Sequence, residues 1–160
     1  MKTRLTLIQM DVHVNDVEYN YNRVQELLSQ SLSENPDIII LPETWNTGFY
    51  PSRELINISD KNGERTKSLL STFAKKHNVN IVGGSVAVAK NDVVFNTSYT
   101  YNRNGELVGE YSKMHGFSPA KEDQYFAGGT HTTHFELDGI PCSTVICYDI
   151  RFPELVRMAA

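Results

Sequence analysis

The sequence predicts an α/β domain built on a mixed β-sheet with helices on one face, and three observations support this class. A strand, a helix and a second strand follow one another over residues 5–41, which is the order of a βαβ unit. Residues 38–41 are wholly apolar, as in a strand covered on both faces. Farther along, strands are joined by hairpin signals such as Asn-Arg-Asn-Gly at 102–105, which indicate antiparallel pairs.

The composition is that of one ordinary globular domain over residues 1–160. Hydrophobic residues make up 40% and charged residues 21% of the chain, enough apolar material for a core. The net charge is -4 without a basic run, which argues against nucleic acid as a partner. No apolar stretch reaches the length of a membrane span, and Thr6, Gln9 and Asp11 interrupt any signal-like segment. We therefore expect a cytoplasmic protein.

The first half of the chain alternates strands and amphipathic helices. Residues 5–10 are expected to form the first strand, and Asp16 to cap a helix that runs through Leu32. A second helix is expected over residues 64–77. The apolar stripe of the first helix consists of Val17, Tyr21, Val24, Leu27, Leu28 and Leu32.

The second half is rich in strands. We expect strands at 80–89, 93–101, 106–111, 133–137 and 140–146, and a functional loop at 112–129. Gly83 and Gly84 indicate a bulge or a close backbone approach within the first of these. Pro153 suits the first turn of a final helix, which reaches Ala160 without a stop signal. We therefore expect an incomplete unit with exposed apolar faces.

Cys147 lies where an apolar, β-branched strand passes into that helix. A side chain there is held by rigid elements, and a helix N-terminus favours the reactive thiolate, so the position suits a nucleophile. The alternative is a core cysteine, since a free thiol packs as a small hydrophobe. Cys142 is interpreted as such a core residue. Two cysteines form no disulfide framework and offer too few ligands for zinc.

Two more chemical groups follow strands in the same way. Glu43 comes after the strand at 38–41 and Lys113 after the strand at 106–111. If these strand ends converge with Cys147, the set suits acyl transfer: Glu43 as base, and Lys113 with the backbone N–H of Tyr148 as oxyanion donors. The cation would also lower the thiol pKa. Taken singly, Glu43 and Lys113 are typical of solvated surface residues.

Three segments, ILPETWNTGF, YSKMHGF and VICYDIRFPEL, resemble the signature segments of the nitrilase, or carbon–nitrogen hydrolase, superfamily. The resemblance implies an αββα sandwich whose C-terminal part is missing from this chain, and a homo-oligomer. It also implies a Glu43–Lys113–Cys147 triad with Glu122 as a further glutamate, and no metal or organic cofactor. The closest branch is that of amidases, including those acting on ω-amides of dicarboxylic 2-oxo acids. A nitrile hydrolase, or a non-catalytic relic or binding module, stays open.

Other residues keep two interpretations each. His115 is either the base of a Cys–His hydrolase of another fold or, as its sequence proximity to Lys113 favours, a pocket residue. Trp45 either shapes the substrate pocket or packs on the domain. Arg151 either binds a substrate carboxylate or forms a structural ion pair. His131 and His134 could pair on a metal, but with no third ligand they are expected to be exposed.

Overall fold

The structure is a computed structural model that describes residues 2–160. Over this range it contains a seven-stranded sheet, a separate two-stranded sheet and five α-helices. The strands are β1 (Leu5–Leu7), β2 (Ile38–Ile40), β3 (Asp60–Lys61), β4 (Asn80–Val82), β5 (Val86–Lys90), β6 (Val93–Tyr101), β7 (Leu107–Ser112), β8 (His134–Leu137) and β9 (Ile140–Ser143). The α-helices are α1 (Val17–Ser31), α2 (Leu55–Ile58), α3 (Glu64–His77), α4 (Glu122–Tyr125) and α5 (Pro153–Ala159). Three 3-10 helices cover Leu32–Glu34, Ser118–Ala120 and Cys147–Arg151.

The large sheet is mixed, as the sequence predicts. β1, β2 and β4 are parallel, and β3 is parallel to β5. The long strand β6 runs antiparallel to β4 and β5 along one edge and to β7 along the other. The sheet therefore changes from parallel to antiparallel pairing at β6, where the hairpin signals begin.

Helices α1 and α3 cover one face of this sheet. The side chain of Asp16 accepts a hydrogen bond from the Tyr19 amide at 3.1 Å, so the predicted cap is confirmed. The buried residues of both helices form one core with the sheet, because their apolar stripes recur at helical spacing. This core includes Tyr21, Val24, Leu28, Leu70 and Ala74 from the helices and Ile39, Ile81 and Tyr99 from the sheet.

The strand predicted at 80–89 is divided into β4 and β5. Gly84 has a φ of 58°, and a Cβ there would lie 2.0 Å from the Pro42 carbonyl oxygen. The close approach that the glycine pair predicted is thus made to the segment after β2. The Ser85 amide also donates to the Pro42 carbonyl at 3.0 Å, which holds that segment against the break in the strand.

The strand predicted at 140–146 ends at Ser143. β9 pairs with β8 in a hairpin outside the large sheet. This hairpin contacts β7, where a Cβ on Gly109 would lie 2.7 Å from the Phe135 ring. The chain from 144 to 146 leaves the hairpin without strand pairing, so Cys147 does not directly follow a strand.

Several features were not predicted in detail. The first strand is shorter than the predicted range of 5–10, and α4 lies in the segment predicted as a functional loop at 112–129. Helix α2 and strand β3 lie in residues 54–63, for which the sequence predicted no element. Large apolar side chains are exposed at Leu5, Leu7, Ile150, Val156 and Met158. None of the helices in residues 2–160 combines the length and apolar character needed to cross a membrane.

Candidate active site

Glu43 lies just beyond β2 in a turn that is tied to β5. The Thr44 amide donates to Ser85 Oγ at 3.0 Å. Farther along the same turn, the side chain of Asn46 exchanges two hydrogen bonds with the backbone of Ala87, at 2.8 and 3.1 Å. Because buried backbone groups hold the turn from both sides, the Glu43 carboxylate projects from a fixed backbone.

Lys113 joins two carboxylates. It follows β7 directly and is only 4% exposed. Its Nζ donates to Glu43 Oε1 at 2.8 Å and to Glu122 Oε2 at 2.7 Å. An ammonium group has three N–H donors, so one donor remains after these two bonds. We call Glu43, Lys113 and Glu122 the charge cluster.

Glu122 is the most deeply buried member of the charge cluster, with 1% of its surface exposed. It begins α4, and its Oε2 also accepts the Phe117 amide at 2.6 Å. Its other oxygen, Oε1, is buried and has no hydrogen-bond partner within residues 2–160. One carboxylate oxygen thus fixes the lysine, while the second stays able to accept a further donor.

Burial works against the ammonium form of Lys113, but the hydrogen bonds and charges of Glu122 and Glu43 outweigh it. The net effect raises the pKa of Lys113 above its ordinary value. Lys113 therefore stays charged at neutral pH. The cluster holds a permanent positive charge between two acidic side chains.

Cys147 opens the 3-10 helix Cys147–Arg151 with a left-handed backbone, at a φ of 47°. Its thiol is free and the residue is exposed. Burial of part of the side chain, followed by the charge of and hydrogen bonding to Glu43, raises the pKa of the thiol, and Lys113 lowers it by less. Lys113 thus lowers the thiol pKa as expected, but burial and Glu43 outweigh it, so the net shift of the Cys147 pKa is upward.

His115 belongs to a second group of side chains. Its Nδ1 lies 2.8 Å from Asp149 Oδ1, and its ring stacks on Phe152 with centroids 3.6 Å apart. The resulting contacts engage the imidazole with Asp149 and Phe152, not with the thiol. The structure therefore favours the pocket interpretation of His115 over the role of base.

The remaining predicted residues divide into buried and exposed positions. Trp45 is fully buried among the helices, where its Nε1 donates to the Gly83 carbonyl at 2.9 Å and its ring meets Tyr21 edge-on. It does not line a substrate pocket, so that prediction is wrong. Tyr148 is half-buried and contacts Phe117 and Phe152 edge-on. Arg151 is exposed, with no ion pair to any residue from 2 to 160.

Within residues 2–160 there is no group of three His, Cys, Asp or Glu side chains placed to hold an ion. His131 and His134 are both exposed. His131 contacts Thr130 through its Nδ1.

Two residues of the site escaped the sequence reasoning. Asn96, on β6, donates from Nδ2 to Glu43 Oε1 at 3.0 Å and accepts the Lys113 amide through its backbone carbonyl at 2.9 Å. We call residues 146–151, which carry the candidate nucleophile Cys147, the nucleophile turn, and Asp149 is fully buried within it. The available signals were an amide side chain inside a β-branched and aromatic strand, and a carboxylate two residues after the cysteine.

The fold and this geometry define the class of protein first: a layered α/β protein with a thiol beside a buried carboxylate–ammonium cluster. Comparison with known proteins then gives the family. Residues 4–160 match the model of the carbon–nitrogen hydrolase family. The chain belongs to that family.

Individual relatives agree with this assignment. A 2-oxoglutaramate amidase of Bacillus subtilis is 40% identical over 157 residues, which span 98% of this chain and 60% of the relative. A CN-hydrolase superfamily protein of Xanthomonas campestris, solved with an arsenic adduct in its active site, superimposes with a TM-score of 0.84 at 30% identity. That match covers 95% of this chain and 56% of the other.

An amidase from Nesterenkonia sp. AN1, solved in complex with butyramide, has the same fold, with a TM-score of 0.85 at 22% identity. The match covers 98% of this chain and 60% of that amidase. The chain thus spans about 60% of the length of the curated relatives that it matches. The mixed α/β fold of these neighbours confirms the predicted fold class.

Proposed function

We propose that this chain carries the catalytic groups of a hydrolase that cleaves the carbon–nitrogen bond of a small amide, with Cys147 as nucleophile. The observation that carries the proposal is the Lys113 bridge between Glu43 and Glu122, at 2.8 and 2.7 Å, beside a thiol whose pKa responds to Glu43. A nucleophile, a base and a group that stabilises the oxyanion together suit acyl transfer through a thioester.

The first half of the reaction forms a thioester. The Glu43 carboxylate takes the thiol proton while Sγ attacks the amide carbon. The oxyanion that develops is stabilised by the third N–H of Lys113 and by the backbone N–H of Tyr148, which has no intrahelical partner so early in a helix. The carbon–nitrogen bond then breaks, and Glu43 returns its proton to the departing nitrogen, which leaves as ammonia.

The second half hydrolyses the thioester. Glu43 takes a proton from water, whose oxygen attacks the acyl carbon. Collapse of the tetrahedral intermediate breaks the carbon–sulfur bond, and Glu43 returns the proton to Sγ. A raised thiol pKa fits this cycle, because a thiol that is neutral at rest needs a neighbouring base.

Glu122 supports the reaction through position. Its Oε2 fixes Lys113, and its unpartnered Oε1 is available to accept an N–H from the substrate or an O–H from water. Glu122 therefore acts on the orientation of Lys113 and of the reacting amide. Tyr148, with Phe117 and Phe152, supplies aromatic surface next to the nucleophile.

For the substrate class we propose an ω-amide of a dicarboxylic 2-oxo acid. The relative of 40% identity is named as a 2-oxoglutaramate amidase. Arg151 is exposed four residues after Cys147, and a guanidinium group pairs bidentately with a carboxylate. We assign Arg151 to the substrate's free carboxylate.

A cytoplasmic location and a homo-oligomeric state remain predictions. Analytical ultracentrifugation would measure the oligomeric state.

Intact mass spectrometry during turnover tests this function. The protein is incubated with a panel of ω-amides and the matching nitriles while ammonia release is followed. We expect an acyl adduct and ammonia from amides, both lost in Cys147→Ala and both kept in the matched control Cys142→Ala. Folded protein that gives neither product would contradict the proposal and favour a non-catalytic relic.

Two further variants separate the proposed triad from a Cys–His hydrolase. Lys113→Ala is expected to abolish adduct formation. Turnover that survives Lys113→Ala but disappears in His115→Ala would instead assign the base to His115. Release of ammonia from nitriles but not from amides would make the protein a nitrile hydrolase.

A further inference from the structure

The carboxylate of Asp149 is buried, and its hydrogen-bond partners are a phenol, two backbone amides and the His115 ring. It is fully buried and takes four hydrogen bonds. Its Oδ2 accepts from Tyr111 Oη at 2.7 Å and from the Ile146 amide at 3.1 Å. Its Oδ1 lies 3.0 Å from the His115 amide and 2.8 Å from His115 Nδ1. A buried carboxylate is costly unless such donors satisfy it, so its presence calls for a reason.

The positions of the donors give that reason. Tyr111 and His115 stand two residues before and two residues after Lys113, and Ile146 immediately precedes Cys147. One side chain therefore links the nucleophile turn to both flanks of the lysine. No other side chain of residues 2–160 makes hydrogen bonds to both segments.

The backbone of Cys147 needs such a link. A φ of 47° is uncommon for a residue with a Cβ, and strained backbone persists only where its surroundings hold it. Asp149 also donates its own amide to the Ile146 carbonyl at 3.0 Å. Asp149 thus holds both the backbone N–H and the backbone C=O of Ile146, the residue that precedes the strained Cys147.

The partners of Asp149 are suited to fixing its carboxylate in place and not to transferring a proton. Burial and the neighbouring Asp149 raise the pKa of Tyr111 above its ordinary range, so the phenol stays a donor. Because Asp149 is an acceptor, the ring proton of His115 is assigned to Nδ1. Phe152 fixes the plane of this ring by stacking at 10°.

We propose that Asp149 is a positioning residue: together with Tyr111 and His115 it fixes the Cys147 thiol relative to Glu43 and Lys113. This inference rests on the proposed function for its effect on turnover. It extends that function by assigning His115, the rival base, to the support of Asp149. Its effect on the thiol itself does not depend on any substrate.

Asp149→Asn is the main test, since the amide keeps the size but cannot accept four bonds. We measure the alkylation rate of Cys147 by iodoacetamide against pH, by peptide mass spectrometry, and kcat and KM on an ω-amide. When the hydrogen bonds of Asp149 are lost, the thiol is expected to move away from Glu43 and become more exposed. Both changes lower its pKa, so the alkylation profile of Cys147 shifts to lower pH. Turnover is expected to fall in kcat on the order of 100-fold, as for a small misplacement of a reacting group, with KM unchanged.

Two controls separate positioning from general stability. Cys142 is an internal control, because its thiol is alkylated in the same sample, and its alkylation profile is expected not to change. Asp60→Asn is a matched variant far along the chain, since Asp60 also accepts from a tyrosine hydroxyl and from backbone amides. It is expected to lower the melting temperature while the Cys147 profile stays at the wild-type position.

Milder variants keep the test decisive if Asp149→Asn does not fold. Tyr111→Phe removes a single donor and is expected to shift the profile in the same direction by less. His115→Ala removes the ring donor and is expected to shift the Cys147 alkylation profile. His115→Asn keeps a side-chain N–H near the position of Nδ1 and is expected to keep the wild-type profile. Unchanged Cys147 profiles in Tyr111→Phe and His115→Ala would overturn the proposal. A wild-type protein without turnover would refute only the proposed function, because the alkylation comparison still decides the role of Asp149.

Discussion

The charge cluster and the nucleophile turn meet at one site but are held in different ways. Glu43, Lys113 and Glu122 are tied to the large sheet and its adjoining loop by ion pairs and backbone hydrogen bonds. Cys147 lies outside both sheets, exposed, on a short 3-10 helix. The charges are thus set in advance by the fold, as electrostatic catalysis requires. The position of the thiol depends instead on the hydrogen bonds of one side chain, Asp149.

Removal of the Lys113 ammonium group should have the largest effect, because it disrupts the charge cluster and not the nucleophile turn. In Lys113→Met two acidic side chains, one of them fully buried, lose their shared ammonium group. We expect a loss of about 3–5 kcal/mol in the free energy of unfolding, because a buried charge is left without its partner. Urea denaturation followed by circular dichroism measures this loss.

The control for that loss is a lysine in a half-exposed ion pair. Lys90 Nζ lies 2.7 Å from Glu110 Oε1, a distance like those in the cluster, but solvent screens the pair. Lys90→Met should cost about 0–1 kcal/mol. Equal losses in the two variants would mean that burial does not distinguish the cluster from a surface pair.

Trp45→Phe tests a core residue that lies two positions after Glu43 and packs against Tyr21. The change removes the donor to the Gly83 carbonyl and leaves that buried acceptor unpaired. We expect a loss of about 1–3 kcal/mol in the free energy of unfolding, with an unchanged KM, since Trp45 does not line the pocket. The exposed Tyr50→Phe is the control and should change neither quantity. A raised KM in Trp45→Phe alone would restore the substrate role that the sequence predicted.

The effects expected on the titration of the Cys147 thiol are smaller than these losses of stability. Since the charge of Glu43 raises the pKa of Cys147, Glu43→Gln should move the alkylation profile of Cys147 to lower pH. The same variant should lose turnover, because the base is gone. A profile that moves to higher pH, or does not move, would show that Glu43 does not act on the thiol.

The raised thiol pKa also has a consequence for stability. Folding favours the neutral thiol, since the pKa of Cys147 is higher in the folded than in the unfolded chain. The contribution of this thiol to the free energy of unfolding is fully present at pH values below its pKa in the unfolded chain. It is lost as the pH rises through the pKa of Cys147 in the folded protein. Cys147→Ser should therefore weaken the decline of stability at alkaline pH, which thermal unfolding between neutral and alkaline pH measures.

Local patterns predicted the elements that rest on local physics. Helices α1 and α3 follow from apolar residues at helical spacing and from a cap at Asp16, both of which operate within a few residues. β2 and β6 follow from compact apolar and β-branched runs. The break between β4 and β5 was only partly predictable: the glycine pair signalled a close approach, but not the Pro42 carbonyl that makes it.

The sequence by itself determined the fold class, the residue types of the site and their order along the chain. Its three segments also indicated the carbon–nitrogen hydrolase family, which the comparisons then established. These follow from side-chain chemistry and short-range spacing. They did not need any knowledge of which distant residues touch.

Only the tertiary structure decided which groups meet and how each charge acts on the others. Glu43 and Lys113 are 70 residues apart in the chain, and Asp149 reaches Tyr111 over 38. Trp45 became a core residue, and the thiol pKa moved upward, because burial and the balance of two carboxylates against one ammonium depend on packing. Such contacts are set by how the sheet and loops pack together, and no local pattern encodes them.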